Sequence, residues 1–409
     1  MQKFLIILFF IPFWAQAHSV HIGEHFSIRS IKEGLKIVHE NDTLFVHSGW
    51  YKEGNIIIEL PITLIGIDFP ILDGENKFEL LSIKSNHVLV TGFKIINSGF
   101  ATTDDPCGIK IYDSKNVTIK NNILENNFFG IYLQYCKNCI VIDNTIKSKS
   151  VDEQQIGNGI HCWKSDSLQI THNVISGHRD GIYFEFVTNS LIWRNISYEN
   201  KRYGLHFMFS NDDAYICNVF RKNGAGVAVM YTKKVMMFNN TFEDNWGDAA
   251  YGLLFKDISD SYLIGNKFLN NTTGLHMEGT SRIAIENNLF KENGWAVKIS
   301  ASCMDNDFKH NNFISNTFDA ATNGSLVLNS FKENYWDKYE GYDLNKDQIG
   351  DIPFHPLSLY AVIIETMPSA MLLYRSFMIT LLDKSEKILP SITPDNFIDE
   401  SPKMKPYSI

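Results

Sequence analysis

Short apolar segments recur along the chain at intervals of about 22 residues, a period typical of repeat architectures. Each segment begins at an Asn, and an apolar side chain follows two residues later in most copies. A glycine then opens a short apolar strand, as at Gly130, Gly181 and Gly204. The anchoring residues are Asn122, Asn144, Asn173, Asn195, Asn218, Asn240, Asn266, Asn288 and Asn312.

This pattern predicts an all-β fold, a single-stranded right-handed parallel β-helix with coils of about 22–24 residues. A leucine-rich repeat has a similar length, but the chain lacks the Leu pattern of that repeat. Equivalent residues of successive coils stack at about 4.8 Å, so buried Asn side chains can bond along a column. We expect a second Asn column five residues further on, at Asn127, Asn200, Asn223, Asn245, Asn271 and Asn293.

Changes in hydropathy, repeat pattern and composition divide the chain into five segments. Residues 1–17 read as a signal peptide, with Lys3, an apolar run and the cleavage site Ala15-Gln16-Ala17, and a membrane anchor is the alternative. Residues 18–41 read as an N-terminal segment with a helical cap over 27–38, residues 42–335 as the β-helix, and 336–356 as an Asp-rich capping loop. We therefore expect an exported protein.

The last segment, residues 357–409, is expected to form C-terminal helices followed by an extended arm. Residues 357–382 are strongly apolar and are interrupted by Pro368, Glu365 and Arg375. This interruption makes one transmembrane span a poor fit, and it favours two helices for partner docking or contact with a membrane surface.

The net charge and the cysteines bear on which classes of function are possible. The 409 residues carry a net charge of -9, which argues against a nucleic-acid partner. Of the six cysteines, Cys136 and Cys139 form a CxxC motif. In an oxidising compartment this motif could be a disulfide or a soft-metal pair. A structural role is favoured, since the chain has no second CxxC pair to complete a four-thiolate zinc site.

Strand alternation predicts which residues face solvent, because successive side chains of a strand point to opposite faces. Positions one and three after each glycine are apolar and should face the core. Positions two and four should then form two outer columns. The first column reads Lys110, Tyr132, His161, Tyr183, His206, Ala228, Leu254, His276 and Lys298, and the second reads Tyr112, Gln134, Trp163, Glu185, Met208, Met230, Lys256, Glu278 and Ser300.

The outer columns carry the candidate metal chemistry. His206 and Met208 share one coil and Met230 lies on the next, and imidazole with thioethers suits a soft ion such as Cu(I). His161, His276 and Glu278 are secondary candidates, two or three coils away. Exposed Met and aromatic residues also mark protein interfaces, so a docking face is the alternative, and the two readings are compatible.

Two further segments could bind metal. The amine that cleavage would expose at His18 lies near His21 and His25, a combination that binds copper. The stretch 343–351 places oxygen ligands at Asp343, Asn345, Asp347 and Asp351, in the manner of a calcium loop. Gln348 replaces the turn glycine of such loops, so a capping turn built on these side chains is the alternative.

The chain resembles the NosD family of periplasmic β-helix accessory proteins. The matching segments are Asn158-Gly159-Ile160-His161, 179–186, 203–210, 226–231, 274–279, 334–337 and the tail 356–403. The resemblance implies a non-enzymatic role in copper-centre assembly of nitrous oxide reductase. It also implies association with the inner membrane through the membrane subunit of an ABC transporter, contacted by residues 357–382, and a copper-donating lipoprotein as a further partner.

Two other functions are compatible with a β-helix, because a fold does not fix a function. Pectinases, lyases and epimerases that act on carbohydrates use this fold, but they need clustered carboxylates. Glu185 and Glu278 would lie about 19 Å apart at coil spacing, which is too far for a glycosidase pair. Arg179 and Asp180, near Glu185, are the compact ionic candidate. A scaffold that recruits partners without binding metal is the third function.

Overall fold

The computed structural model describes residues 18–100, 105–149, 155–324, 328–388 and 397–409. These residues form a right-handed parallel β-solenoid of about 13 turns, so the predicted fold class is confirmed. Each full coil contributes one strand to each of three parallel sheets, which we call sheets A, B and C in the order in which the chain visits them. The predicted signal peptide lies outside the described residues.

Sheet A has 14 strands and sheet B has 13. The strands of sheet A are Ser19–Ile22, Thr43–Val46, Thr63–Gly66, Leu89–Thr91, Thr118–Lys120, Ile140–Ile142, Gln169–Thr171, Leu191–Trp193, Ala214–Ile216, Met236–Phe238, Ser259–Ile264, Ser281–Glu286, Met304–Lys309 and Leu328–Lys332. The strands of sheet B are Trp50–Tyr51, Ile71–Asp73, Lys94–Ile96, Ile123–Glu125, Thr145–Lys147, Val174–Ser176, Ile196–Tyr198, Val219–Arg221, Thr241–Glu243, Lys267–Leu269, Leu289–Lys291, Asn312–Ile314 and Tyr335–Trp336.

Sheet C has 12 strands and carries the predicted His and Met columns on its outer face. Its longer strands come from the middle of the solenoid, where the glycine-led apolar runs of the sequence lie. The strands are Ile56–Ile58, Leu81–Ile83, Cys107–Tyr112, Phe129–Gln134, Ile160–Trp163, Asp180–Glu185, Tyr203–Met208, Ala225–Met230, Leu253–Lys256, Thr273–Glu278, Trp295–Ile299 and Phe318–Ala321.

The predicted Asn columns form two hydrogen-bonded ladders. The second column lies between sheets B and C, where the Asn200 side chain donates to Oδ1 of Asn223 at 2.9 Å. The first column lies between sheets A and B. The Asn218 side chain donates to the carbonyl of Ile192 at 2.9 Å and to Oδ1 of Asn240 at 3.0 Å. One residue of the prediction is wrong, since Asn311, not Asn312, continues the ladder by accepting from the backbone nitrogen of Asn288 at 2.9 Å. These bonds satisfy amides whose burial would otherwise be costly.

Aromatic rings stack inside the solenoid beneath the ladder. Phe268 and Phe290 have ring centroids 4.6 Å apart and planes 4° apart, and the stack ends with Phe313 against Trp336 at 4.0 Å. The column has one ring per coil from Phe220 to Trp336, so it accounts for part of the Phe-rich composition of the chain. The same core buries Cys136 and Cys139, and all six cysteines are free thiols.

The N-terminal segment supplies the first strand of the solenoid, whereas the sequence predicted that the β-helix begins at residue 42. Ser19–Ile22 pairs with Thr43–Val46, so sheet A begins before residue 42. Helix α1 spans Ile31–Leu35 and is shorter than the predicted 27–38. Its N-cap is Ser30, whose hydroxyl accepts from the backbone nitrogen of Glu33, and its Ile31 is buried against the first coil.

The C-terminal segment covers the other end. Helix α2 spans Leu359–Thr366, a 3-10 helix spans Pro368–Leu373, and helix α3 spans Phe377–Ile388. None of the helices in the described ranges has the length and apolar run that crossing a membrane requires. Residues 397–409 return to the solenoid, where Asp399 accepts from the backbone nitrogen of Asn334 at 3.0 Å. Asp399 thus terminates the Asn ladder.

Candidate functional site

The outer columns of sheet C have the register that strand alternation predicted. His206 lies opposite Tyr183 on one neighbouring strand and Ala228 on the other. Met208 lies opposite Glu185 and Met230. Because directly opposed residues of neighbouring strands lie about 4.8 Å apart, Met208 and Met230 form one outer pair beside His206.

His206 lies beneath other side chains on this face and is only 6% exposed. The ring centroids of Tyr183 and Tyr203 lie 5.0 Å and 4.8 Å from its own. Nδ1 of His206 lies 3.0 Å from Nη2 of Arg202 and 3.5 Å from Oδ2 of Asp180. The His206 ring is therefore held by an ion pair that the sequence interpretation did not connect to it.

Asp180 and Arg202 form a two-bond ion pair across adjacent coils. Nε and Nη2 of Arg202 donate to the two carboxylate oxygens of Asp180 at 2.9 Å and 2.7 Å. Asp180 is fully buried, and burial alone would raise its pKa. The side-chain contacts with His206 and Arg202, together with the positive charge of Arg202, outweigh burial and hold the pKa of this carboxyl below its ordinary value. Asp180 is thus a buried anion under the outer face.

The second imidazole nitrogen, Nε2 of His206, is buried and has no hydrogen-bond partner within the described part of the chain. An unpaired buried polar atom is costly unless a ligand satisfies it. Imidazole nitrogen and thioether sulfur together form a donor set for a soft ion. His206, Met208 and Met230 therefore fit a soft ion by donor chemistry, and Nε2 of His206 is the imidazole nitrogen without a protein partner.

Met208 and Met230 remain partly accessible at the edge of this cluster. The sulfur of Met208 lies 3.6 Å from the hydroxyl of Tyr183. Tyr183 thus contacts both the thioether and the imidazole, and it forms the wall between His206 and His161. The cluster combines a buried imidazole with two partly exposed Met side chains.

The secondary candidates lie apart from His206. His161 stacks on Tyr183 with centroids 4.8 Å apart, and its Nδ1 lies 3.0 Å from the amide nitrogen of Asn158. Burial and the charge of Arg179 lower the pKa of His161 to about 3. His276 lies 3.4 Å from Glu278, three strands from His206. Within the described ranges, no group of three or more His, Cys, Asp or Glu side chains is arranged to hold a metal ion.

Carboxylates of the Asp-rich loop accept hydrogen bonds from backbone nitrogens of the same loop. Oδ1 and Oδ2 of Asp343 accept from the backbone nitrogens of Asp347 and Gln348 at 3.2 Å and 2.8 Å, and Oδ2 of Asp351 accepts from Leu344 at 2.6 Å. The loop thus makes the bonds expected of a capping turn, and calcium binding by its carboxylates stays a prediction.

A row of exposed aromatic side chains, missed in the sequence, borders the Met pair. Phe186, Phe209 and Tyr231 each follow the last residue of a sheet C strand. Their rings stack with centroids 5.2 Å and 5.1 Å apart, and each residue has a positive φ. These residues, which we call the aromatic row, occupy turn positions that strand alternation does not cover. The neighbouring Trp163 and Tyr135 rings, 4.9 Å apart, extend the apolar surface.

Comparison with known proteins agrees with this architecture. A family model described as "Periplasmic copper-binding protein (NosD)" matches residues 142–341, and one described as "Right handed beta helix region" matches residues 74–175. The catalytic domain of a GH87 α-1,3-glucanase has a similar fold, with a TM-score of 0.56 and 12% identity over 81% of this chain and 71% of that chain. At this identity the likeness concerns the fold alone.

Two curated relatives carry the name "Probable ABC transporter binding protein NosD". The protein from Pseudomonas aeruginosa is 28% identical over 151 residues, which cover 36% of this chain and 35% of that protein. The protein from Stutzerimonas stutzeri is 28% identical over 131 residues, covering 32% of this chain and 30% of that protein. The chain thus spans about a third of the length of the curated relatives it matches.

Proposed function

Because the chain belongs to the NosD family, we propose that it is a non-enzymatic accessory protein that receives or presents copper for copper-centre assembly of nitrous oxide reductase. The family is described as periplasmic and copper-binding. The observation that carries the proposal is the unpartnered Nε2 of His206 on the same outer face of sheet C as the opposed residues Met208 and Met230.

In this function copper is a cargo that must enter and leave. His206, Met208 and Met230 would hold Cu(I), since imidazole and thioether ligands favour the soft ion over hard cations. Asp180 orients the imidazole, and the partial exposure of both Met side chains gives a partner access to the sulfur atoms. His161, His276 and Glu278 are too far along the sheet to join this ligand set, and calcium at the Asp343 loop is outside the proposal.

We further propose that an ABC transporter binds the C-terminal helices, because the curated relatives are named as transporter-binding proteins. Leu372, Phe377 and Met378 are 90%, 82% and 67% exposed, so residues 357–382 offer an apolar surface to a membrane subunit. Nitrous oxide reductase and a copper-donating lipoprotein would then contact the outer face of sheet C, where the aromatic row borders the Met pair. The periplasm is the compartment in which these partners meet.

Anaerobic titration with Cu(I) against a chromophoric chelator tests the site. We expect the variant Met208→Leu/Met230→Leu to bind Cu(I) at least about tenfold more weakly, because it keeps the side-chain volume and removes both sulfur ligands. Met236→Leu is the matched control, since Met236 is exposed on sheet A. Unchanged affinity and stoichiometry in the double variant would show that these thioethers do not bind copper.

Capture of partners from periplasmic and membrane fractions tests the assembly role. Recovery of transporter subunits and nitrous oxide reductase with the intact chain supports it, and loss of the transporter with Phe377→Ser/Met378→Ser assigns that contact to helix α3. Recovery of neither partner contradicts the assembly role.

The enzyme alternative rests on fold likeness, and Glu185 and Glu278 are four strand spacings apart, about 19 Å. Release of products from oligouronates would favour that alternative.

A further inference from the structure

Two histidine side chains from different coils meet at the N-terminal end of the solenoid. Nδ1 of His21 lies 3.0 Å from Nε2 of His47. His21 is exposed and His47 is half-buried, so an ion from solvent can reach both nitrogens. Both residues lie at the opposite end of the molecule from the C-terminal helices, and His47 carried no assignment in the sequence interpretation.

Backbone pairing between two coils determines where the two imidazole rings lie. The strand Ser19–Ile22 pairs in register with Thr43–Val46, and the backbone nitrogen of His47 donates to the carbonyl of Ile22 at 2.8 Å. The hydroxyl of Tyr51 donates to the carbonyl of His47 at 2.8 Å. The short distance between the two imidazoles thus follows from strand register and does not depend on a flexible loop.

Aromatic side chains hold the imidazoles from the sides. The ring centroid of Phe45 lies 4.9 Å from that of His21, with planes 15° apart. Phe26 stacks on His47 at 4.3 Å and lies 5.5 Å from His21. These contacts restrict rotation of both rings, so a bound ion would not have to order them at the full entropic cost.

We propose that His21 and His47 form a binding site for a divalent transition-metal ion, Cu(II) or Zn(II). Two nitrogens each about 2.0 Å from one ion lie about 2.8 Å apart at a right angle and about 3.3 Å apart at the tetrahedral angle. The observed separation of 3.0 Å lies between these values. With two protein ligands, water completes the coordination of the ion.

This site differs from the copper motif that the sequence suggested around His18, His21 and His25. Residues three apart along a strand point to opposite faces, so His18 and His21 cannot chelate together. The backbone nitrogen of His18 instead donates to Oδ1 of Asp42 at 2.9 Å. The ligand partner of His21 comes from the next coil, through His47.

The site also differs in chemistry and position from the Cu(I) cluster of His206, Met208 and Met230. It lacks sulfur ligands and therefore suits borderline divalent ions. A bound ion would join Ser19–Ile22, the first described strand of sheet A, to the second strand, Thr43–Val46. Metal should therefore stabilise the end of the solenoid.

Titration of the full chain with CuSO4 and ZnCl2 in air tests the site by calorimetry and by electron paramagnetic resonance of bound Cu(II). We expect His21→Gln and His47→Gln each to lose one equivalent of bound ion and the signal of nitrogen coupling from two imidazoles. His39→Gln is the matched control, because the His39 side chain is 87% exposed and its ring is paired with Asp42. Met208→Leu/Met230→Leu should keep this equivalent, which separates the site from the Cu(I) proposal.

Hydrogen exchange provides a second readout that needs no variant. Zn(II) should slow exchange of the His47 backbone amide, which is bonded to Ile22. Unchanged Cu(II) stoichiometry and unchanged spectrum in both Gln variants would overturn the proposal and leave a plain His–His hydrogen bond. Unchanged exchange of the wild-type chain in saturating Zn(II) would also overturn it.

Discussion

Arg202 places its Nη2 atom 3.0 Å from the Nδ1 atom of His206. A guanidinium group can only donate, so Nδ1 accepts and the imidazole proton lies on Nε2. A metal ion at Nε2 requires that proton to move to Nδ1, where Oδ2 of Asp180 lies 3.5 Å away. Arg202 and Asp180 thus favour opposite tautomers of His206, and in the proposed copper site their balance would set how readily Nε2 could bind the ion.

This competition predicts the effect of Arg202→Ala on copper binding. Without the guanidinium, Nδ1–H can donate to Asp180 and leave the Nε2 lone pair free. We expect the affinity for Cu(I) to rise by about tenfold, which is the effect of removing one hydrogen bond of about 1.4 kcal/mol. Anaerobic chelator competition measures this affinity. A weaker affinity in the variant would mean that Arg202 supports the ligand tautomer.

The same variant should be less stable than the wild-type chain. Removing Arg202 leaves the buried Asp180 carboxylate without its main partner, and we expect a loss of about 2–3 kcal/mol in urea unfolding, because Arg202 itself is partly exposed. Since the folded-state pKa of Asp180 is lowered, this loss should be present above pH ~4 and should shrink as pH falls through the folded-state pKa.

Arg282→Ala is the matched control for this loss. Arg282 makes the same two-bond contact with Asp260 across one coil, at 2.6 Å and 2.9 Å, but both side chains are exposed. Exposed ion pairs contribute less than about 1 kcal/mol. Equal losses in the two variants would show that burial of Asp180 does not determine the result.

The sequence predicted the sheet C columns because a two-residue alternation and a 22-residue repeat fix both face and register. It did not predict that Asp180 and Arg202 hold His206, because these residues lie at the start of a strand and in a turn, where alternation says nothing about side-chain direction. The error at Asn312 arose because Asn311 and Asn312 are adjacent and either fits the variable coil length. Asp399 could not be found, since it joins the ladder from the C-terminal segment.

Asp213 makes folding stability depend on pH in the direction opposite to that of Asp180. Burial raises its pKa to about 8, and its Oδ2 has no partner within the described residues. The folded state therefore holds a proton that the unfolded state releases near pH 4, so stability should fall by up to about 1.4 kcal/mol per pH unit between pH ~4 and ~8. Asp213→Asn should remove this slope and keep the bond from the Ser190 nitrogen. Chemical unfolding at pH 5 and pH 8 measures both effects.

The Asn ladder should dominate local stability in the middle of the solenoid. Asn218→Ala removes the acceptor for Asn195 and the donor for the Ile192 carbonyl, and leaves these buried groups unpaired. We expect a loss of about 2–4 kcal/mol in the free energy of unfolding. Thr241→Ala, at a partly exposed strand position beside ladder residue Asn240, should change it by less than about 0.5 kcal/mol. A loss below 1 kcal/mol at Asn218 would mean that water replaces the missing amide.

The aromatic row allows partner binding to be separated from folding. Phe209 has a φ of 50°, a left-handed conformation that costs a bulky residue about 1–2 kcal/mol and that Asn adopts more readily. In Phe209→Asn the relief of this strain should roughly offset the lost stacking on Phe186 and Tyr231, so the free energy of unfolding should change by less than about 1 kcal/mol.

If the aromatic row contacts nitrous oxide reductase, the same variant should weaken that complex by at least about tenfold in a binding titration, since exposed aromatic rings contribute strongly at interfaces. Phe69→Asn is the control, because Phe69 is similarly exposed with a φ of 52° near the N-terminal end of the solenoid. Equal binding by both variants would place the contact elsewhere on the solenoid.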